Sequence, residues 1–597
     1  MVCRKRSAAR LCGLILVMGA ALLSVGAAAA PARPPAAEIL PNETVFLVHV
    51  PDVHELATRF MNSSMGQMSQ DPELRPLVSG IYGSLADQMA RIQEQVGLSL
   101  DDLVAIPQGE IMLAAVTPSA GPLAVVFLLH AGDQAESIET LLERADRVAQ
   151  RNGARKVETT VAGTPVVTYE NLGPERRAVS YVLREGTFLL SSDLSVLRQM
   201  LLAWDGGPAL VLADNPSFQA IESRCRATAL DAPQALLYAD PIGILQTIGR
   251  DALPVRLVVA MLPQLGLDGV TAVGGAMRFD AGQFDAVSQF HVLLEPPRSG
   301  VIEVVSLEPS DFIPEPWVPA EVSSYSSLKL NPEQSLRAVR RIFDGIRGEG
   351  ALSVWLQRRV LEPIGLDLEH EFLPALGGRL TYVALIERPI HERSGGWLIG
   401  LELDEVDAIR TSLEAVRERH SQVVVSRSFG GYEYFVAGPP TSGQEPEAPV
   451  TPDTPPQPQI CFGIIGEHLV MADRVSFFQR AVGTVMGIEP PLAEEPDFKL
   501  VLSNLQRRSG GTPPAMISFE RPDEGMRFFY ELAASDRIRG QMHGAGGVGR
   551  LLAAALDEHG LPPFSVLQGY LAPGGAMLVD DETGWHYTSF GLRRSGP

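Results

Sequence analysis

Runs of β-branched and aromatic residues, bounded by turn residues, recur along this chain. They predict strands at 44–50 (TVFLVHV), 124–129 (AVVFLL), 165–171 (PVVTYEN), 178–184 (AVSYVLR) and 187–192 (TFLLSS). A helical period takes over at 134–152, placing Ile138, Leu141, Leu142, Ala145 and Val148 on one face. Farther on, Val406, Ile409, Leu413 and Val416 repeat that spacing. Several strands in succession between isolated helices predict an α+β fold with a mainly antiparallel sheet and packed helices. Residues 274–294 (GGAMRFDAGQFDAVSQFHVLL) predict a hairpin turning at 280–283.

The same features are written twice. VGLSLDDLVAIPQGEIMLAAV (96–116) matches IGLDLEHEFLPALGGRLTYVAL (364–385), and REGTFLLSSDLSVLRQML (184–201) matches IGEHLVMADRVSFFQRAV (465–482). LADNPSFQAIESRCRA (212–227) matches LAEEPDFKLVLSNLQRR (492–508), and ALLYADP (235–241) matches AMISFER (515–521). Val96 and Ile364 are 268 residues apart, Phe218 and Phe498 are 280 apart, and Gly274 and Gly574 are 300 apart. Collinear matches with offsets that change only between blocks imply a tandem duplication, with copies over 31–308 and 309–597. Gly274 and Gly574, in Gly-Gly-Ala-Met at 274–277 and 574–577, are expected at equivalent sites where backbones approach closely. The first copy is the longer around 62–88. The second carries a Pro-rich, acidic insertion at 437–459 between two predicted strands, expected as a disordered hairpin loop. The junction is the Pro-rich stretch 307–321.

Composition changes the picture at the N-terminus and in the charge. The 597 residues carry a net charge of -22 at a pI near 5.0, which speaks against nucleic acid or an anionic membrane surface as partner. Arg4, Lys5, Arg6 and Arg10 precede an apolar stretch ending in AAAAP, as in a secretory signal over 1–30 cleaved near Ala30. Residues 11–30 are also long enough to remain as an anchor; the Ala-rich end and the following PARPP favour cleavage. Arg10 and Leu11 before Cys12 exclude a lipoprotein signal, and no further membrane span is expected. Export to the periplasm or the outside follows. Cys225 and Cys461 then remain: a disulfide is open to them, and their different places in the repeat favour buried free thiols.

Three stretches, ILPNETVFLVHVPDVHELATRF (39–60), SMGQMSQDPELRPLV (64–78) and 96–116, resemble a family of exported bacterial proteins known only as a domain of unknown function. The likeness covers the first copy well and the second loosely. It implies export and the α+β repeat, and brings no catalytic residues with it.

Motifs for chemistry fail their context. GAGGVG (544–549) has dinucleotide-loop spacing, but SDRIRGQMH before it predicts no strand. SSLK (326–329) has Ser-x-x-Lys spacing inside a predicted strand, with no Lys-Thr-Gly. His49 and His54 flank Asp52, whose expected role is a helix cap. No catalytic, cofactor-binding or metal residue is assigned. The expectation is a non-enzymatic binding or interaction module of the cell envelope, its partner an envelope protein or a small ligand. The alternative is an exported hydrolase with a site between the copies, so enzymatic activity stays open, leaning against. The opening strand of the second copy, polar at Ser323, Ser324, Ser326 and Ser327, suggests either a solvent-facing edge or a groove that accepts a partner strand.

Overall fold

Alternation in strand β1 (Thr44–Val50) sets the two faces of the sheet: Leu47 is fully buried, whereas Phe46 and Val48 are half-buried on the other side. The computed structural model describes residues 33–80, 105–172, 177–226, 232–250, 252–310, 312–438, 459–545 and 547–594. The expected signal segment and most of the 437–459 loop lie outside the described residues.

The first half continues with β2 (Ile111–Val116), β3 (Ala124–His130), β4 (Arg155–Val161), β5 (Thr164–Leu172), β6 (Arg177–Arg184) and β7 (Thr187–Ser191). It closes with β8 (Ala235–Ala239), β9 (Val270–Ala281) and β10 (Phe284–Leu294). The lateral order is β4-β5-β6-β7-β3-β2-β1-β8-β9-β10, antiparallel throughout. The second half has β11 (Ser324–Lys329), β12 (Leu376–Ile386), β13 (Gly395–Leu403), β14 (Val424–Phe429) and β15 (Tyr432–Ala437). Then come β16 (Ile460–Ile465), β17 (His468–Ala472), β18 (Met516–Glu520), β19 (Gly574–Asp581) and β20 (Gly584–Leu592). Its order, β14-β15-β16-β17-β13-β12-β11-β18-β19-β20, repeats the first. The strands flanking the 437–459 insertion, β15 and β16, are paired neighbours.

Helices also recur. In the first half α1 (Val53–Asn62) and α2 (Ser64–Gln70) follow β1, and α3 (Ala135–Arg151) follows β3. Next, α4 (Leu194–Trp204) and α5 (Pro216–Arg226) precede β8, while α6 (Pro241–Gly249) and α7 (Leu253–Leu265) precede β9. In the second half α8 (Pro332–Arg347) and α9 (Ala351–Leu356) follow β11, and α10 (Val406–Arg419) follows β13. Then α11 (Val475–Val485) and α12 (Pro496–Arg508) precede β18. Four helices separate β18 from β19: α13 (Pro522–Ala533), α14 (Asp536–Ala545), α15 (Gly547–His559) and α16 (Phe564–Tyr570). The helical faces follow the expected period with one slip. Ile138 of α3 is buried, but Val148 is exposed and Ala149 takes the inner place.

The halves meet by strand pairing. β10 runs antiparallel to β20 from Phe284–Leu592 to Leu293–Gly584, so twenty strands form one sheet. Core packing crosses the same line: Phe284 and Val287 belong to the second half's hydrophobic cluster, with the Phe284 and Phe590 rings 4.8 Å apart. The outer strands β4 and β14 carry Arg155, Lys156, Glu158 and Arg427, charges that discourage further strand addition.

Lateral rows correct the expected glycine equivalence. Leu47, Tyr238 and Gly274 stand side by side in the first half, as Tyr325, Phe519 and Gly575 do in the second. A Cβ on Gly274 would collide with Ile221 of α5, and one on Gly575 with Val501 of α12. Gly574 instead faces the backbone of Phe590. Gly274 therefore corresponds to Gly575, one residue beyond the sequence match, because what recurs is the helix lying on the strand. Replacing either Gly274 or Gly575 by Ala is expected to lower stability by about 1–3 kcal/mol in urea unfolding. Unchanged midpoints would show that the helices give way freely.

His291 and His586 face one another across the β10–β20 pairing with ring centroids 5.6 Å apart, and neither Nδ1 has a hydrogen-bond partner. Burial first, then the neighbouring His586 and the Arg224 charge, pushes His291 down to about 4. The folded state thus binds its proton less readily than the unfolded chain. Its contribution is complete above the ordinary value of about 6.5 and is lost as pH falls toward 4, by up to about 3 kcal/mol. His291→Gln should flatten the fall in urea midpoint between those pH values; an unaltered slope would assign it to other groups.

Candidate functional site

Two buried ionic clusters stand at matching places with their charges exchanged. In the first half, Glu110, just before β2, accepts from Arg33 and from the backbone N–H of Ala36, and it bonds His49 of β1. In the second, the corresponding position before Thr381 is Arg379, paired at 2.8 Å with Glu315 of the Pro-rich stretch. Glu315 also accepts from Thr381 and from the Tyr325 hydroxyl, and the Arg379 Nε donates to Ser327 at 2.8 Å. Each cluster ties the segment leading into a half to the centre of its sheet. With Glu315 nearly inaccessible and its oxygens occupied, the cluster has a structural role. Glu315→Gln leaves a charge buried without its counter-ion, and should cost about 3–5 kcal/mol in urea unfolding. A loss below about 1 kcal/mol would mean that water reaches Arg379.

The residues singled out from sequence scatter. Asp52 accepts from the backbone of His54 and Glu55 as the cap of α1, while His49 turns to Glu110. Among the described residues no three His, Cys, Asp or Glu side chains could hold a metal together. Cys225 and Cys461 are both buried free thiols. GAGGVG lies across α14 and α15, with residue 546 outside the described residues. The expected edge or groove beside Ser323–Ser327 is overturned: β11 is hydrogen-bonded on both sides, to β12 and β18, and Ser327 is fully buried against Thr381. No partner strand can add there, because both rows of backbone groups are used.

The face of the sheet opposite Leu47 and Tyr325 carries the open features. A lateral strip of apolar side chains runs Leu401, Leu380, Leu328, Met516, Leu578, Tyr587 and Phe290 across seven neighbouring strands. At about 4.8 Å per strand it spans roughly 29 Å. It is incompletely covered, with Leu380 37% and Phe290 41% exposed. At one end, α8 and α9 stand over β12 and enclose a pocket of about 400 Å³. Leu336 and Val339 of α8, Leu352 and Trp355 of α9, and Leu380 and Leu401 of the sheet line it. The sequence builds α8 as an amphipathic helix started by the Asn331 cap, yet only Ala338 in it is fully buried. Its apolar face borders open space. Arg379 and Glu402 reach the wall, but the Arg379 guanidinium is committed to the Glu315 cluster and Glu402 to the Arg379 backbone. The Ser335 hydroxyl on the wall is buried without a partner.

Beside the strip, one row over, lie Tyr382, Ser326, Ser518, Ala576 and Ser589. The matching row of the first half reads Leu113, Val48, Leu237, Gly275 and Phe290. Three apolar residues on one row thus correspond to three serines. Ser326 alone was legible as an anomaly; Ser518 and Ser589 come from distant strands, and only pairing aligns them.

No family model matches this chain, and no curated protein matches it. A solved structure described as "Structure of crystal form III of TP0453" is similar at 10% identity and a TM-score of 0.22, over 47% of this chain and 89% of that one. That likeness is too slight to carry a conclusion. No helix among the described residues is long and apolar enough to cross a membrane.

Proposed function

We propose that the protein is an exported, non-enzymatic binding module of the cell envelope that holds an apolar molecule between α8, α9 and the sheet. The pocket carries this reading. Water filling 400 Å³ would number roughly a dozen molecules at about 30 Å³ each, against walls that offer one unpartnered hydroxyl. Displacing such water by an apolar ligand is favourable, and the volume falls in the range of small-molecule sites. Export rests on the charged and apolar pattern of residues 1–30.

Titration of the mature protein with N-phenyl-1-naphthylamine, a neutral apolar fluorophore, should give saturable enhancement. Leu336→Arg and Leu380→Arg each set a charge in the pocket and should weaken binding at least about tenfold, with circular dichroism unchanged. Absence of saturable binding by the native protein would overturn the reading. N-terminal sequencing of the secreted or periplasmic form should begin just after Ala30.

A further inference from the structure

We infer that the ligand is an uncharged single-chain amphiphile of the monoacylglycerol class, its chain in the pocket and along the apolar strip and its hydroxylated head on the serine row. The inference rests on the binding reading above and assigns its chemical class.

Shape sets the chain. A pocket of about 400 Å³ opens onto a strip roughly 29 Å long, bordered along one side by the serine row, which suits one extended aliphatic chain. Charge sets the head. Neither the strip nor the serine row contains an ionisable acid or base apart from tyrosine. The two charged residues on the pocket wall are engaged with each other and with Glu315. A carboxylate or phosphate would therefore lose its hydration without gaining a cation, on a chain whose net charge of -22 already repels it. Hydroxyls and esters, in contrast, can exchange hydrogen bonds with Ser326, Ser518 and Ser589, all half-buried, and with the hydroxyl of the exposed Tyr382.

The two halves supply the comparison within one chain. Half one keeps Val48, Leu237 and Phe290 on this row, whereas half two has serine at all three corresponding positions. Hydroxyls from three strands, brought into one row only by pairing and with Ala576 between Ser518 and Ser589, give the second half a polar track beside an apolar one.

The test displaces bound N-phenyl-1-naphthylamine from the full mature protein with 1-monopalmitoylglycerol or with palmitate at pH 8.5, each below its aggregation concentration. Monopalmitoylglycerol should compete at least about tenfold better than palmitate, the ratio expected for one unpaired buried charge or lost hydrogen bond. Combined Ser326→Ala, Ser518→Ala and Ser589→Ala should bring the two within about threefold while leaving the fluorophore's own affinity unchanged. Alanine is smaller than serine and fits the same strand positions, and an unchanged thermal midpoint would certify the fold. Equal competition in the native protein, or a preference untouched by the triple substitution, would overturn the assignment of the head while the apolar site stands. Failure of the fluorophore to bind would remove both.

Discussion

The pairing of β10 with β20 is the contact on which the rest of the molecule depends. Without it each half would end in a long strand, β10 or β20, paired on one side only and with a row of free backbone groups on the other. Pairing the two satisfies both at once, and it lets Phe284 and Phe590 close a core that neither half completes alone. The last step of the apolar strip, from Tyr587 to Phe290, is also made by this contact. Joining the halves is therefore both a stability device and the means of making a floor longer than one half provides.

Legibility from sequence followed the range of the interactions. Strand β1 and helix α3 were readable because period and turn residues are local properties, and β1 matches its predicted limits. The glycine equivalence missed by one residue for a physical reason. Gly-Gly-Ala-Met aligns by letters, but the fold aligns by which glycine meets Ile221 or Val501 of a covering helix. A shift of one exchanges faces of the sheet. The polar opening strand of the second half reads from its own sequence as an edge or the side of a groove. Polar residues are common at edges, and nothing local shows that β12 and β18 flank it.

Exchange of charge between the two ionic clusters points the same way. The position before β2 is Glu110 and its counterpart is Arg379, while the partner moves from Arg33 to Glu315. Aligned residue by residue, these positions look unrelated. Aligned as pairs, they are one requirement met twice: a buried charge must have its opposite on the lead-in segment. The Pro-rich stretch at 307–321 is thus more than a linker, because Glu315 and Trp317 of it are buried in the second half.

The two halves have diverged unevenly over the sheet. On the core face, Leu47 and Tyr325, and Tyr238 and Phe519, stay buried in register, and Gly274 and Gly575 stay small where α5 and α12 lie on the strand. On the other face, Val48, Leu237 and Phe290 correspond to three serines within a single row. The three serines of one row adjoin an apolar strip that leads under α8, and the next row carries Ser324 and Glu520 against Phe46 and Ala239, so the second half is the more polar over two neighbouring rows of this face. The two halves thus share one strand order and differ in the polarity of the face opposite Leu47 and Tyr325.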